Sequence, residues 1–181
     1  MIETERLLLK PARPELAHHV LNYYLRNREF LRPFEPERAP EFYTPAYQTA
    51  ALEQQEEAEK KEDSICFYLF AREQPETVLG TAALNGIIRG CFQSCFLGYR
   101  LDEKNQCRGY MTEAVAAVTG YAFRELGLHR IEANVMPRNK ASLRVLEKAG
   151  YREEGVARRY LKINGVWEDH IHMVRLNEAQ P

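Results

Sequence analysis

Residues 94–125, SCFLGYRLDEKNQCRGYMTEAVAAVTGYAFRE, carry the pattern of a strand, a tight polar loop and a long helix. The apolar run Cys95-Phe96-Leu97-Gly98-Tyr99 predicts the strand, and Asp102-Glu103-Lys104-Asn105-Gln106 the turn. Apolar residues then recur at Met111, Ala114, Val115, Val118 and Ala122, the spacing of one buried helical face. Between loop and helix stands Gln106-Cys107-Arg108-Gly109-Tyr110-Met111. A helix start leaves backbone N–H groups without helical partners, and the helix dipole adds positive potential there, which suits a phosphate or pyrophosphate. An ordinary strand–loop–helix connection has the same signature, so the flanking sequence has to decide.

Downstream, Gly127 ends the helix and Arg130–Val135 alternates as a strand stopped by Pro137. Asn139 is a good N-cap for a helix running to Gly150. On that helix Ser142, Val145, Leu146 and Ala149 share a face, so a hydroxyl stands on the first turn of an apolar stripe. Such a hydroxyl needs a partner: a local carbonyl, a cap, or a ligand. Residues 151–163 and 166–176 flank Asn164-Gly165, a strong hairpin signal.

Upstream, Leu7-Leu8-Leu9 predicts a strand, and a helical pattern runs from Glu15 with Pro14 just before it. Residues 30–47 hold Pro33, Pro36, Pro40 and Pro45 among five aromatics, which predicts an irregular, proline-stiffened rim suited to binding or to packing on the core. Residues 48–63 are rich in Glu, Gln, Ala and Lys and predict a surface helix. Residues 65–70 and 78–84 predict a hairpin turning at residues 73–76. The order is strand, two helices, three antiparallel strands, helix, strand, helix and a final hairpin, within a single domain spanning 1–181.

Composition agrees with an ordinary soluble domain: 181 residues, 45% hydrophobic and 28% charged. A net charge of −1, from 25 basic and 26 acidic residues, disfavours nucleic-acid binding as the main role. No apolar run is long enough for a membrane span, and the charged start Met1-Ile2-Glu3-Thr4-Glu5-Arg6 lacks a signal-peptide pattern, so a cytoplasmic location is expected. Cys66, Cys91, Cys95 and Cys107 form no Cys-x-x-Cys pair, and His170 and His172 on one side of a strand lack a third ligand. Free thiols and no metal are expected.

These segments together resemble the GCN5-related N-acetyltransferase (GNAT) family. Its Gln/Arg-x-x-Gly-x-Gly/Ala signature is matched by Gln106–Met111, followed by the helix opened by Asn139-x-x-Ser142. Phe30-Leu31-Arg32-Pro33-Phe34-Glu35-Pro36, Leu97-Gly98-Tyr99, His129-Arg130-Ile131 and Met136-Pro137-Arg138-Asn139-Lys140 are similar to the RimJ/RimL ribosomal-protein alanine/serine N-acetyltransferase branch. The resemblance implies an α+β GNAT fold: a mixed, mostly antiparallel seven-stranded sheet, splayed at strand four, with helices on both faces. It implies acetyl-CoA as cosubstrate, held by Tyr99, Arg100, Leu101, Gln106, Cys107, Arg108, Gly109, Tyr110, Met111, Thr112, Asn139, Lys140 and Ser142. Lys104 would add charge beside the loop.

Two residues depart from the signature: Cys107, where Gly is frequent, and Met111, where Gly or Ala is usual. Cys107 is expected to fit with a negative φ, and Met111 to turn inward. Ser142 is implied as donor to the leaving CoA sulfur. Glu35 is the candidate to hold the acceptor ammonium or take its proton. Asp169 is expected to face the interior in a structural hydrogen bond, with Tyr160 a further proton donor. Related enzymes also have a glutamate before the final turn, where this chain has Tyr160-Leu161-Lys162.

The implied acceptor is a protein N-terminus, with ribosomal protein S5 or a similar alanine or serine terminus as the example. An α-amine, with a reference pKa of about 7.7–8.0 against about 10.4 for lysine, needs only a weak base. The alternatives are a small amine (antibiotic, polyamine or amino acid) and a non-catalytic acyl-CoA-binding regulator. A monomer or homodimer without nucleic-acid or membrane partners is expected.

Overall fold

The computed structural model describes residues 1–179. The strands are β1 (Ile2–Glu3), β2 (Leu7–Pro11), β3 (Ser64–Ala71), β4 (Gln74–Ile88), β5 (Ser94–Leu101), β6 (Arg130–Val135), β7 (Arg152–Ile163) and β8 (Val166–Leu176). The helices are α1 (Ala17–Leu31), α2 (Pro45–Lys60), α3 (Tyr110–Arg124) and α4 (Lys140–Lys148). The strands form one sheet in the order β1-β2-β3-β4-β5-β6-β8-β7. Every neighbouring pair is antiparallel except β5–β6, whose parallel register needs a crossover, supplied by α3.

That parallel pair is short. It consists of Ser94↔Arg130, Cys95↔Ile131 and Phe96↔Glu132. Beyond Phe96, β5 continues along β4 as far as Leu101↔Gly80 but has no partner on β6, so the sheet opens between the two strands. Alternation then assigns side chains to faces. Cys95, Leu97, Tyr99 and Leu101 join Ile131, Ala133, Val135, Met173 and the apolar stripe of α3 in the larger core. Arg100 and Gly98 face the other way, toward α1. The smaller core lies there, where Val20, Tyr23 and Leu31 of α1 and Leu52 of α2 pack on Tyr68, Phe70 and Val78.

The mixed, splayed sheet with helices on both faces is the predicted architecture, and the splay falls at the predicted strand. The structure adds an eighth strand, because Ile2–Glu3 pairs with Leu8 and Leu9. The rim is also more ordered than its prolines suggested. Pro33 and Pro40 lie in short 3-10 turns, and Pro45 opens α2 behind an N-cap made by Thr44, whose hydroxyl accepts from Tyr47 N at 3.3 Å. Proline is well tolerated in a first helical turn, where its missing N–H would have no partner. The first hairpin turns earlier than expected, since Gln74 already belongs to β4 and register shifts absorb the difference.

Asp169 does not face the interior. It is exposed, and its Oδ1 accepts from Arg159 N at 2.7 Å. A register shift between Ala157 and Leu161 turns Arg159 to φ 50°, and Asp169 satisfies the displaced amide.

Candidate active site

The loop between β5 and α3 is pinned at both ends. At its start Asp102 is 2% exposed, and it accepts from Arg26 Nε at 2.5 Å, Asn27 Nδ2 at 3.2 Å and Lys104 N at 2.9 Å. Asn27 Oδ1 in turn accepts from Glu103 N at 3.0 Å. Burial alone would raise the Asp102 carboxyl, but the hydrogen bonds from Arg26, Asn27 and the Lys104 amide outweigh it and hold it below its ordinary value.

The far end of the loop is held by the N-terminal segment. Glu113, on the first turn of α3, accepts from Thr4 Oγ1 at 2.6 Å, Arg6 N at 2.9 Å and Arg6 Nε at 2.7 Å. Arg6 Nη1 donates to the Arg108 carbonyl at 2.9 Å, and the guanidinium stacks over Tyr110 at 4.8 Å. Burial works to raise the Glu113 carboxyl, yet Thr4 and Arg6 lower it. A carboxylate beside an anion site is unfavourable unless neutralised, and Arg6 neutralises this one.

Between the two anchors, the backbone N–H groups of residues 107–112 find no protein acceptor among the described residues. Gly109 has φ 81°, and a Cβ there would lie 3.2 Å from Arg6 Nη2. Successive free amides around left-handed residues at a helix start form a concave anion cradle. Met111 turns inward, 4% exposed, as expected. Cys107 departs from expectation: its φ is +59°, so the residue that replaces a frequent glycine keeps the left-handed backbone that glycine favours.

Across the opened sheet, α4 faces β5. Asn139 caps α4 through Oδ1, which accepts from Ser142 N at 3.1 Å. The Ser142 hydroxyl lies 2.7 Å from the Tyr99 hydroxyl, which is also 3.0 Å from the Ser142 carbonyl. Ser142's partner is therefore a phenol on β5. Burial pushes the Tyr99 phenol well up, against a smaller lowering by Ser142, so it stays a proton-bearing donor. Lys140 and Arg108 are exposed at the edges, and Leu101 ends β5.

The opposite face of β5 belongs to the rim. Arg100 Nε donates to Glu35 Oε1, Arg38 Nη2 donates to Glu35 Oε2 at 3.3 Å, and Arg100 Nη1 lies 3.5 Å from Thr81 Oγ1. Burial lowers the Arg100 guanidinium, but Tyr24, Glu35 and Tyr23 raise it further. The Arg100 side chain thus points away from Tyr99, and only its backbone faces the opening on the Ser142 side. The rim reaches across to the final hairpin, where Asn164 Nδ2 donates to Arg32 O at 2.8 Å and Arg138 Nη2 to Pro33 O at 3.0 Å. Beside it lies a cavity of about 120 Å³ lined by Arg28, Arg32 and Arg38 together with Glu29, Glu35 and Glu37.

Arg6, Glu113, Asn27 and Asp102 carry no motif of their own and were not among the candidates. One signal was present: a Thr-x-Arg just before the first long strand, and an acidic residue on the first turn of the helix after the loop.

The acetyltransferase (GNAT) domain family matches residues 6–152. "Probable N-acetyltransferase YjcK" of Bacillus subtilis (strain 168) is 43% identical over 177 residues, covering 98% of this chain and 97% of that protein. The crystal structure of ribosomal-protein-S5-alanine acetyltransferase from Vibrio fischeri superposes with a TM-score of 0.93 at 35% identity, over 99% of this chain and 97% of that one. Mycobacterium smegmatis RimJ in complex with CoA-disulfide superposes with a TM-score of 0.89 at 26% identity, over 97% and 84%. The chain belongs to the GNAT family of N-acetyltransferases and is related to the ribosomal-protein acetyltransferases within it.

Proposed function

We propose that the protein moves acetyl from acetyl-CoA to the α-amine of a protein N-terminus, by direct transfer in a ternary complex. The carrying observation is the opening between β5 and β6, which has an anchored cradle of free amides at one end and the Tyr99–Ser142 hydroxyl pair on one wall. The pyrophosphate of CoA fits the amides of residues 107–112. The pantetheine arm pairs with the exposed edge of β5 at residues 99–101, where a strand N–H stabilises the oxyanion of the tetrahedral intermediate.

Tyr99 and Ser142 form a relay when the phenol donates to Ser142 Oγ, which frees the Ser142 proton for the sulfur. The amine lone pair attacks the thioester carbon, the C–S bond breaks, the thiolate takes that proton, and the nitrogen releases its extra proton to water, which refills the Tyr99–Ser142 pair. Asn139 and Lys140 flank the arm.

Both Glu35 oxygens are engaged by guanidiniums, Arg100 on one and Arg38 on the other. We assign Glu35 to fixing the rim on β5 at the mouth of the acyl-acceptor side. The rim cavity balances three arginines against three glutamates, which supports a peptide backbone over a polyamine, whose charges need an acidic pocket. An S5-like alanine terminus is the preferred substrate by relation to the Vibrio fischeri enzyme.

Intact-mass spectrometry of ribosomal proteins from cells with and without the gene tests this. One N-terminus is expected to lose about 42 Da, one acetyl group, without the gene. No change in any of them overturns the ribosomal assignment.

A further inference from the structure

Helices α1 and α2 pack on β3 and β4, while the same face of β6 and β8 carries polar side chains the transfer scheme leaves unused. His172 Nδ1 lies 2.6 Å from Glu132 Oε1, and the other Glu132 oxygen receives Arg130 Nη2 at 3.0 Å. The Tyr160 ring stands edge-on to His172, with centroids 5.0 Å apart, and also contacts His170 at 5.7 Å. Asn134 is the cross-strand partner of His172. Its Oδ1 is sealed from solvent without a donor among the described residues.

The register places this cluster at the apex of the opening. Glu132 forms the last rung with β5, opposite Phe96, and Asn134 is the next residue of β6 on the same face. Asn134 therefore flanks the gap on the side opposite Tyr99 and Ser142, the side on which Arg100 and Glu35 lie. His172 sits one strand away, about 5 Å in the spacing of paired strands, within reach of the gap through one water.

A cross-strand hydrogen bond that only stabilised the sheet would give no reason for an orphaned acceptor atom beside it. Buried polar atoms are normally paired, so an unpaired acceptor at the lip of the gap marks a place not assembled for packing alone. With Nδ1–H given to Glu132, Nε2 of His172 keeps its lone pair.

We propose that His172 is the proton acceptor for the incoming amine, with Glu132 fixing its ring; this rests on the acetyl-transfer reading above. A proton passes from the ammonium, directly or through one water, to His172 Nε2. The neutral amine attacks the thioester carbon, the C–S bond breaks, the thiolate takes the Ser142 proton, and the second N–H proton leaves the nitrogen to water, from which the Tyr99–Ser142 pair regains the proton it gave up. His172 afterwards returns its proton to solvent. The charged and titratable groups around His172 are Glu132 and Arg130 on β6, Glu154 and Tyr160 on β7, and His170 on its own strand.

The test is steady-state kinetics with acetyl-CoA and an alanine-terminated peptide across about pH 6 to pH 9, paired with CoA titration calorimetry. His172→Gln is expected to lower kcat/KM for the peptide about 100-fold and erase the acidic limb of its profile, with CoA affinity within about twofold. Glu132→Gln is expected to cost about tenfold, because the His172 ring loses the carboxylate that fixes its orientation. A double variant, His172→Leu with Glu132→Met, fills the space with an apolar pair and is expected to keep the melting temperature while losing about 100-fold in rate. Wild-type kcat/KM and pH profile in His172→Gln or in the double variant overturn the assignment. A wild type that acetylates no N-terminal peptide overturns it together with the transfer reading. Peptide turnover by the wild type beside an unimpaired His172→Gln overturns the dyad alone.

Discussion

The two ends of the cleft are built on opposite principles. The end proposed for the cosubstrate presents backbone: the free amides of residues 107–112, held by Arg6 and Glu113 on one flank and Asp102 with Asn27 on the other. The end proposed for the acceptor presents side chains: Glu35 between Arg100 and Arg38, then His172 and Tyr160 on the neighbouring strands. A backbone cradle tolerates changes of side chain within it, as Cys107 and Met111 illustrate, provided its anchors hold. A side-chain surface changes specificity with each substitution. One end can therefore stay constant while the other varies.

The largest effect expected from this contrast comes from placing a charge inside the cradle. Gly109→Asp sets a carboxylate among the amides at a residue with φ 81°. CoA affinity is expected to fall at least about 100-fold, the consequence of like charges at a few ångströms in a partly desolvated site. Isothermal titration with CoA measures it. Unchanged affinity would place the phosphates elsewhere and break the distinction between the two ends.

Next in size is the residue proposed to meet the thioester end of the cosubstrate. Ser142→Ala removes the hydroxyl 2.7 Å from Tyr99 but leaves Asn139 to cap α4. The turnover number is expected to drop about 10- to 100-fold, the low end for a lost proton donor because a thiolate is a good leaving group, with the KM for acetyl-CoA within about twofold. Equal losses in both would reduce Ser142 to a structural residue.

The cradle was readable because its chemistry is local. A polar loop feeding an amphipathic helix predicts free amides whatever the rest of the fold does, and the Asn139-x-x-Ser142 helix start is equally local. Glu35 stands out in the sequence and Arg100 reads there as a cosubstrate residue, but their pairing joins strand and rim 65 residues apart and is not legible in it. His172 and Glu132 stand 40 residues apart and meet only through the β6–β8 register. Arg6 and Glu113 are 107 residues apart. Asp102 reads as a loop charge but is buried, 2% exposed, because Arg26 and Asn27 of α1 fold over it. Asp169 was misplaced because alternation counts from an unbroken strand, and the bulge at Arg159 on the partner strand exposes the neighbouring polar side chain to a backbone amide. Long-range pairing and bulges are what a single sequence conceals.

The anchors themselves supply a middle-sized test. Arg6→Gln loses the ion pair to Glu113 and the hydrogen bond to the Arg108 carbonyl, leaving a carboxylate uncompensated beside the phosphate site. A partly exposed pair and one hydrogen bond together contribute about 1.4 kcal/mol, so CoA affinity is expected to weaken about tenfold. A variant carrying Glu113→Gln as well should recover part of that loss, because the repelling charge is gone. If Arg6→Gln lowers the melting temperature yet binds CoA as tightly as the wild type, the cradle holds its shape without its N-terminal anchor.

The smallest effect concerns Cys107, where backbone geometry and residue type disagree. A non-glycine residue at φ 59° costs about 1 kcal/mol relative to glycine. Cys107→Gly removes that cost but also frees the unfolded chain, which offsets about 0.5–1 kcal/mol. Stability is therefore expected to change by less than about 0.5 kcal/mol, and urea unfolding resolves that limit. CoA affinity should stay within about twofold, because the six amides keep their directions and no side-chain contact from Cys107 enters the cradle. A marked gain in affinity would mean that the thiol obstructs the phosphates, and a marked loss that the cysteine stiffens a loop that glycine cannot. Either result would make the cosubstrate end depend on a side chain, as the opposite end does.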